Sequence, residues 1–72
     1  MIKTLTRVNS SMVYAVGYDP EEKILEVVFT KGKIWAYEGV PKKTYKDLIA
    51  SKSVGSYMRN YIFDCYQDYS IF

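Results

Sequence analysis

The fold is decided by residues 23–38, which read KILEVVFTKGKIWAYE. Two runs rich in β-branched and aromatic residues, 23–29 and 33–38, flank the short sequence Thr30-Lys31-Gly32. Such runs favour strands, and a glycine-containing connection of two or three residues joins two strands into an antiparallel hairpin. The stretch therefore predicts a β-hairpin with a basic tip.

The length of the hairpin loop decides which way its aromatic residues face. In a three-residue loop Gly32 takes the left-handed position of a bulged turn. Val27 then opposes Trp35, and Leu25 opposes Tyr37. Because alternate residues of a strand share a face, this register makes both rings part of the core. The Tyr37 hydroxyl could still reach the rim of a pocket.

A two-residue Lys31-Gly32 loop is the alternative. It would take both rings off the Leu25 face and set Tyr37 beside Glu26. That turn requires a positive φ at Lys31, which is costly for lysine. We therefore favour the three-residue loop, and with it the interpretation of Trp35 and Tyr37 as core residues.

The remaining elements are predicted on either side of this hairpin. Residues 12–19 (MVYAVGYD) favour a strand, and the Asp19-Pro20 turn that follows makes it an antiparallel neighbour. After Pro41 the period changes, and a short helix is predicted over about 41–50. Ser53 is a candidate N-cap of a second helix. Apolar residues of the first helix are Tyr45, Leu48 and Ile49, and those of the second are Val54, Tyr57, Met58, Tyr61 and Ile62.

These elements predict an α+β fold, a three-stranded antiparallel meander followed by two short helices packed on one face. The 72 residues form a single domain, 1–72, with a core over about 8–66. The segment 67–72 ends Ile71-Phe72. An apolar tail of this kind is expected to pack on the body of the domain or into a partner.

Composition argues against several classes of function. The chain has one cysteine and no histidine, so no internal disulfide, no typical metal site and no Ser-His-Asp or Cys-His pair is predicted. We expect a protein that is not an enzyme, with no cofactor and no metal. Cys65 is predicted to be a packed thiol. The absence of a signal peptide or long apolar run predicts a cytoplasmic protein without membrane contact.

Short motifs follow one another along the chain: Ser10-Ser11, Val16-Gly17-Tyr18-Asp19, Leu25-x-Val27-x-Phe29, Gly32, Trp35-x-Tyr37, Val40-Pro41 and Ser53-x-Gly55-x-Tyr57. In this order they resemble the motifs of the KTSC domain, which occurs at the C-terminus of some lysyl-tRNA synthetases and as a stand-alone protein in bacteria and phages. The resemblance runs from about residue 8 to residue 66. It implies a small domain and, by association with a tRNA synthetase, RNA binding. Trp35 departs from the tyrosine usual in the family's central motif, and the tail after Tyr66 is additional.

Positive charge is concentrated between residues 31 and 59, which include seven basic residues and only two acidic ones, Glu38 and Asp47. Lys42, Lys43 and Lys46 lie near a helix start, where the macrodipole disfavours cations. A basic helix face could hold a phosphate chain. The candidate phosphate contacts are Lys42, Lys43, Lys46, Lys52 and Arg59. A merely solvated lysine face is the alternative.

The start of the second helix is a further candidate site. Free backbone N–H groups at Ser53 could bind an anion, Gly55 would allow close approach, and Lys52 is adjacent. Ser10 and Ser11 precede the first predicted strand and could line the same pocket. Capping by Ser53 and tight packing at Gly55 is the alternative.

Two functional hypotheses follow. In the first, the domain binds RNA or nucleotide phosphates through its basic helix face, with an exposed aromatic such as Trp35 or Tyr37 stacking on a base. In the second, it is a protein-interaction module, for example a phage-type inhibitor of a host protein, that uses its tyrosines and the Ile71-Phe72 tail. A homo-oligomer is compatible with both.

Overall fold

The structure is a computed structural model that describes residues 4–72. Its five strands form one antiparallel sheet in the order β1-β2-β3-β4-β5. The helical layer lies between β4 and β5 in the chain. The strands are β1 (Thr6–Arg7), β2 (Val13–Asp19), β3 (Ile24–Phe29), β4 (Ile34–Glu38) and β5 (Gln67–Ser70). The helical segments are α1 (Lys42–Ala50), α2 (Val54–Tyr57) and a π-helical segment, Met58–Ile62, that continues α2.

The predicted hairpin register is confirmed. Val27 pairs with Trp35, and Leu25 pairs with Tyr37. The loop has three residues, because the Phe29 N–H donates to the Lys33 carbonyl at 2.8 Å. Gly32 has a φ of 94°, the left-handed conformation expected for the last position of this loop. The choice of glycine at one position thus fixes which face of the hairpin carries the rings.

The prediction of three strands is wrong, because the sheet has five. β1 pairs with β2 through Thr6 and Arg7, and β5 pairs with β4 along its length. Beyond β5 the N–H of Ile71 donates to the Ile34 carbonyl at 2.8 Å, and the Ile34 N–H donates to the Phe72 carbonyl at 2.9 Å. The backbone of the tail therefore joins the body of the domain as a strand, but the side chains of its apolar end do not enter the core, since Ile71 is 38% exposed and Phe72 is 77% exposed.

The helices cover one face of the sheet, as predicted. Leu25, Val27 and Tyr37 on this face are buried against Leu48, Met58 and Ile62 of the helical layer. The Tyr18 hydroxyl donates to the Val40 carbonyl at 2.6 Å, and its ring stacks on that of Tyr45 with centroids 5.1 Å apart. These contacts fix the start of α1 at the end of the sheet where β4 ends. The remaining residues of the buried cluster are Val13, Val16, Val40 and Val54.

Two residues of the predicted helical stripes are exposed instead. Ile49 is 39% exposed and Tyr61 is 57% exposed. In the second helix the reason is the π-helical segment, where the Phe63 N–H donates to the Met58 carbonyl five residues back at 2.8 Å. This wider turn aligns Val54, Met58 and Ile62 toward the core and leaves Tyr61 outside.

The opposite face of the sheet carries Glu26 and Ala36, as the register predicts, yet both are buried. In the sheet Glu26 lies between Gly17 and Ala36, and Ala36 pairs with Tyr69 of β5. The large ring of the unpredicted fifth strand thus stands beside the small alanine. The fifth strand thus adds a neighbour to Ala36, which would lie on the edge strand of a three-stranded sheet.

Candidate functional site

The hairpin tip forms one wall of an open cleft of about 280 Å³. Partly buried Met12, Phe29 and Trp35 line it together with the exposed Thr30, Lys31 and Lys33. Phe29 and Trp35 point to the helix-covered face, but they lie at the end of the sheet. Phe63 is the aromatic neighbour of Phe29 there, with ring centroids 6.3 Å apart. The Trp35 side chain therefore packs against the edge of the core and also lines the cleft.

The wall of the cleft opposite the tip is held by hydrogen bonds to Thr30. Its N–H donates to the Met12 carbonyl at 2.9 Å, and its hydroxyl donates to the Ser11 carbonyl at 3.0 Å. The Ser10 hydroxyl oxygen in turn accepts from the N–H groups of Met12 at 3.1 Å and Val13 at 3.2 Å. The segment before β2 is thus fixed relative to the hairpin tip, and Met12 is held in place.

Gly55 of α2 lies close to the segment before β2. A Cβ atom built on Gly55 would lie 3.7 Å from Met12 Cε, 3.9 Å from Arg59 Nη1 and 3.9 Å from Ser10 Oγ, which are ordinary van der Waals distances. The structure thus brings together three of the predicted site residues, Ser10, Gly55 and Arg59. They pack closely around Gly55, and Met12 connects them to the cleft that it also lines.

Other predicted site residues have structural roles or lie elsewhere. Tyr37 is 3% exposed, so its ring belongs to the core. Ser53 caps α2, because its hydroxyl accepts from the Ser56 N–H at 3.3 Å. Ser11 is exposed and contributes its carbonyl to the Thr30 hydroxyl. Lys52 is exposed between the two helices.

The lysines of α1 are separated from the cleft along the sheet. β3 and β4 pair Ile24 with Glu38 at one end and Val28 with Ile34 at the other. The cleft lies at the Ile34 end, whereas α1 begins after the Glu38 end. Lys42, Lys43 and Lys46 are exposed on α1, and Lys43 forms an ion pair of 3.1 Å with Asp47. Such an exposed i,i+4 pair contributes only about 0.3–0.5 kcal/mol.

Five of the six cleft residues were not predicted to belong to a site. Lys31 and Lys33 were counted only in the basic region, Thr30 only in the hairpin loop, and Met12 and Phe29 only as strand residues. The pattern that marks them is the hairpin itself, since Phe29 and Trp35 flank a loop with a lysine on either side of Gly32. The prediction that Cys65 is a packed thiol is wrong, because Cys65 is an exposed free cysteine.

Burial raises the pKa of Tyr37 to about 12, with the neighbouring carboxylate of Asp68 adding to the shift. Above the ordinary tyrosine pKa of 10.0, the unfolded chain loses this proton before the folded chain does. Below about pH 10, Tyr37 should not make the free energy of unfolding depend on pH. Between about pH 10 and about pH 12, its ionisation in the unfolded chain should lower that free energy by roughly 2–3 kcal/mol.

This pH dependence is measured by urea unfolding at about pH 9 and about pH 11.5, for the protein and for Tyr37→Phe. The pKa values of Tyr18 and Tyr57 are also raised, each chiefly by burial, so both proteins lose some stability in alkali. Tyr37→Phe should lose less, since its core ring cannot ionise. Equal losses in the two proteins would contradict the assignment to Tyr37.

Within residues 4–72 no helix is both long enough and apolar enough to cross a membrane. Among the same residues, no three or more of the types His, Cys, Asp and Glu come together in a group that could hold a metal ion.

Comparisons with known proteins agree on one kind of domain. The family profile of the KTSC domain matches residues 9–66. A protein of Tsukamurella paurometabola is 40% identical over 55 residues, which are 76% of this chain and 82% of that protein. An uncharacterised protein of Stutzerimonas stutzeri is 44% identical over 46 residues, 64% of this chain and 65% of that protein. The crystal structure of a KTSC domain protein from Yersinia pestis matches with a TM-score of 0.90 and 27% identity, over 96% of this chain and 97% of that one.

Proposed function

This chain belongs to the KTSC domain family, and we propose that it is a non-enzymatic module that binds single-stranded RNA at the hairpin-tip cleft. The observation that carries the proposal is the placement of a partly exposed tryptophan beside two lysines in one recess. RNA is the expected class of nucleic acid because the resemblance associates the family with lysyl-tRNA synthetases.

Trp35 and Phe29 supply the apolar part of such a site. Stacking of a base on an aromatic side chain contributes roughly 1–3 kcal/mol and tolerates any sequence. Pockets for whole small molecules are usually about 300–1,000 Å³. A cleft of about 280 Å³ lies just below this range and has room for one base, with the phosphates placed at the exposed lysines of its mouth.

Lys31 and Lys33 supply the charge. Among residues 4–72 the single ion pair is Lys43 with Asp47, so neither tip lysine is engaged by a carboxylate there. Lysines at the mouth of an aromatic recess can contact the phosphates on either side of a stacked base. The lysines of α1, Lys42, Lys43 and Lys46, would then contact only a longer strand.

Fluorescence of Trp35, the single tryptophan of the chain, tests the proposal. We expect a hexaribonucleotide to quench it. If the two tip lysines contact one phosphate each, affinity should fall about sevenfold between about 50 mM and about 200 mM salt. The matched deoxyribonucleotide shows whether the 2′-hydroxyl contributes. Unchanged fluorescence, together with no binding of labelled RNA in a filter assay, would overturn the proposal.

A protein-interaction module is the second candidate, and the exposed outer strand favours it. All four residues of β5 are exposed, and Phe72 beside it is 77% exposed. A partner strand could pair with this edge, since its outer N–H and C=O groups face away from β4. A phage-type inhibitor or a homo-oligomer would use this surface. A stoichiometric complex whose affinity does not change with salt would favour this candidate over RNA binding.

A further inference from the structure

We infer that Thr30 is a positioning residue of the hairpin-tip cleft, whose side-chain hydroxyl holds Met12 in the wall opposite the tip, so that the cleft is formed before a ligand binds. This inference rests on the proposed function, because it takes the cleft as the place of a stacked base. It adds a residue that acts on the ligand through Met12.

The strand pairing that would otherwise hold Met12 is interrupted next to it. Val13 is the first residue of β2, so Met12 lies outside the strand. Between Val13 and Ala15 the register of β2 against β3 shifts, and Tyr14 is the extra residue of a β-bulge. A bulge disrupts the ladder and bends its strand. The position of Met12 therefore depends on contacts beyond the end of the regular ladder.

Thr30 makes these contacts from the hairpin loop. Its hydroxyl donates to the Ser11 carbonyl at 3.0 Å and to the Met12 carbonyl at 3.2 Å, and its N–H donates to the Met12 carbonyl at 2.9 Å. The Ser10 hydroxyl oxygen accepts from two N–H groups of its own segment and so fixes the local turn. The Thr30 hydroxyl is thus the side-chain group that ties this segment to the hairpin.

Met12 is the apolar lining residue whose place the sheet constrains least. Phe29 and Trp35 also line the cleft, but both belong to strands. A cleft that is formed in the free protein binds a base without the cost of ordering a wall. If Met12 moved away, only the fraction of molecules with a complete cleft would bind at full affinity. Thr30 keeps this fraction high.

Three variants test this role in the protein without a ligand. Thr30→Val removes the hydroxyl and keeps the branched shape and the backbone N–H. Thr30 is exposed, so the change opens no buried cavity and the fold should be retained. Thr30→Ser restores the hydroxyl, and Thr6→Val makes the same exchange at an exposed position of β1. Acrylamide should quench Trp35 more strongly in Thr30→Val than in the unaltered protein, and equally in the other two variants.

Thr30→Val should also bind the hexaribonucleotide about fivefold more weakly, which corresponds to the loss of one neutral hydrogen bond. Its salt slope should not change, because no charge is removed. Thr30→Ser and Thr6→Val should bind like the unaltered protein. In a Met12→Ala background, Thr30→Val should cause no further loss of affinity, because the hydroxyl acts through Met12.

Unchanged quenching or unchanged affinity in Thr30→Val would overturn the inference, and so would a loss that Thr30→Ser does not restore. A further loss of about fivefold in the Met12→Ala background would show that Thr30 does not act through Met12. If the unaltered protein binds no RNA, the proposed function is wrong, whereas the quenching comparison still decides whether Thr30 holds the wall of the cleft.

Discussion

A Leu48→Ala variant is expected to lose about 3 kcal/mol of its unfolding free energy, within the range of roughly 2–5 kcal/mol for buried leucine truncations. Leu48 is fully buried and is the one buried residue of α1. A chain of 72 residues has a total stability of roughly 4–11 kcal/mol. The loss of this side chain therefore removes a large fraction of it, and Tm should fall by about 12–24 °C.

Ile49→Ala is the matched control for Leu48→Ala. The two residues are adjacent on α1, and both are apolar, but Ile49 is 39% exposed. Its truncation leaves no closed cavity and should cost no more than about 1 kcal/mol. Urea and thermal unfolding of the two variants measure the difference. Similar losses in both would contradict the orientation of α1 on the sheet.

The Lys31→Glu/Lys33→Glu double variant is expected to weaken RNA binding by about 100-fold at low salt. Two attractive phosphate contacts become repulsive, and the effect should shrink as salt screens the charges. Both lysines are exposed at the cleft, so the fold should be retained. The binding constant is measured by titration with the same hexaribonucleotide at two salt concentrations.

Lys42→Glu/Lys46→Glu is the control for this double variant, since both proteins have the same net charge. It places the two reversals on α1, at the other end of β4. Binding should then fall only a few-fold, through the long-range field of the whole domain. The reverse ranking would assign the site to the basic helix face and not to the hairpin tip.

The turns and the hairpin register could be predicted, because they depend on residues that are close together in the sequence. Gly32 determined the loop length and therefore the register of Trp35 and Tyr37. Asp19 indicated a turn, and its carboxylate accepts the N–H groups of Glu21 and Glu22 at 3.0 and 3.2 Å. β5 could not be predicted in this way. Its sequence, Gln-Asp-Tyr-Ser, has no apolar alternation, and its strand conformation comes from the free edge of β4 that it pairs with.

The candidate site was predictable to a similar extent. Ser10 was considered a residue that could line the same pocket as Gly55, because it precedes the first predicted strand, and the structure places its Oγ 3.9 Å from a Cβ atom built on Gly55. The cleft was missed because register shows which face a ring lies on, but not how far the helical layer extends over that face. Trp35 and Tyr37 share one face, yet Tyr37 is buried while Trp35 lines an open recess. That difference depends on where the π-helical segment and Phe63 lie.

The pairing of β5 with β4 has a consequence for the order in which the chain folds. The other strand pairs join neighbours a few residues apart, whereas Glu38 and its partner Gln67 are separated by both helices. Closing that long connection is slow compared with forming the hairpins, so the outer edge of β4 stays bare until the helices have docked. Bare strand edges are where partly folded chains associate. Once β5 has joined, the outer edge of the sheet is the short polar strand Gln-Asp-Tyr-Ser in place of β4, so refolding yield should depend on protein concentration chiefly before this step.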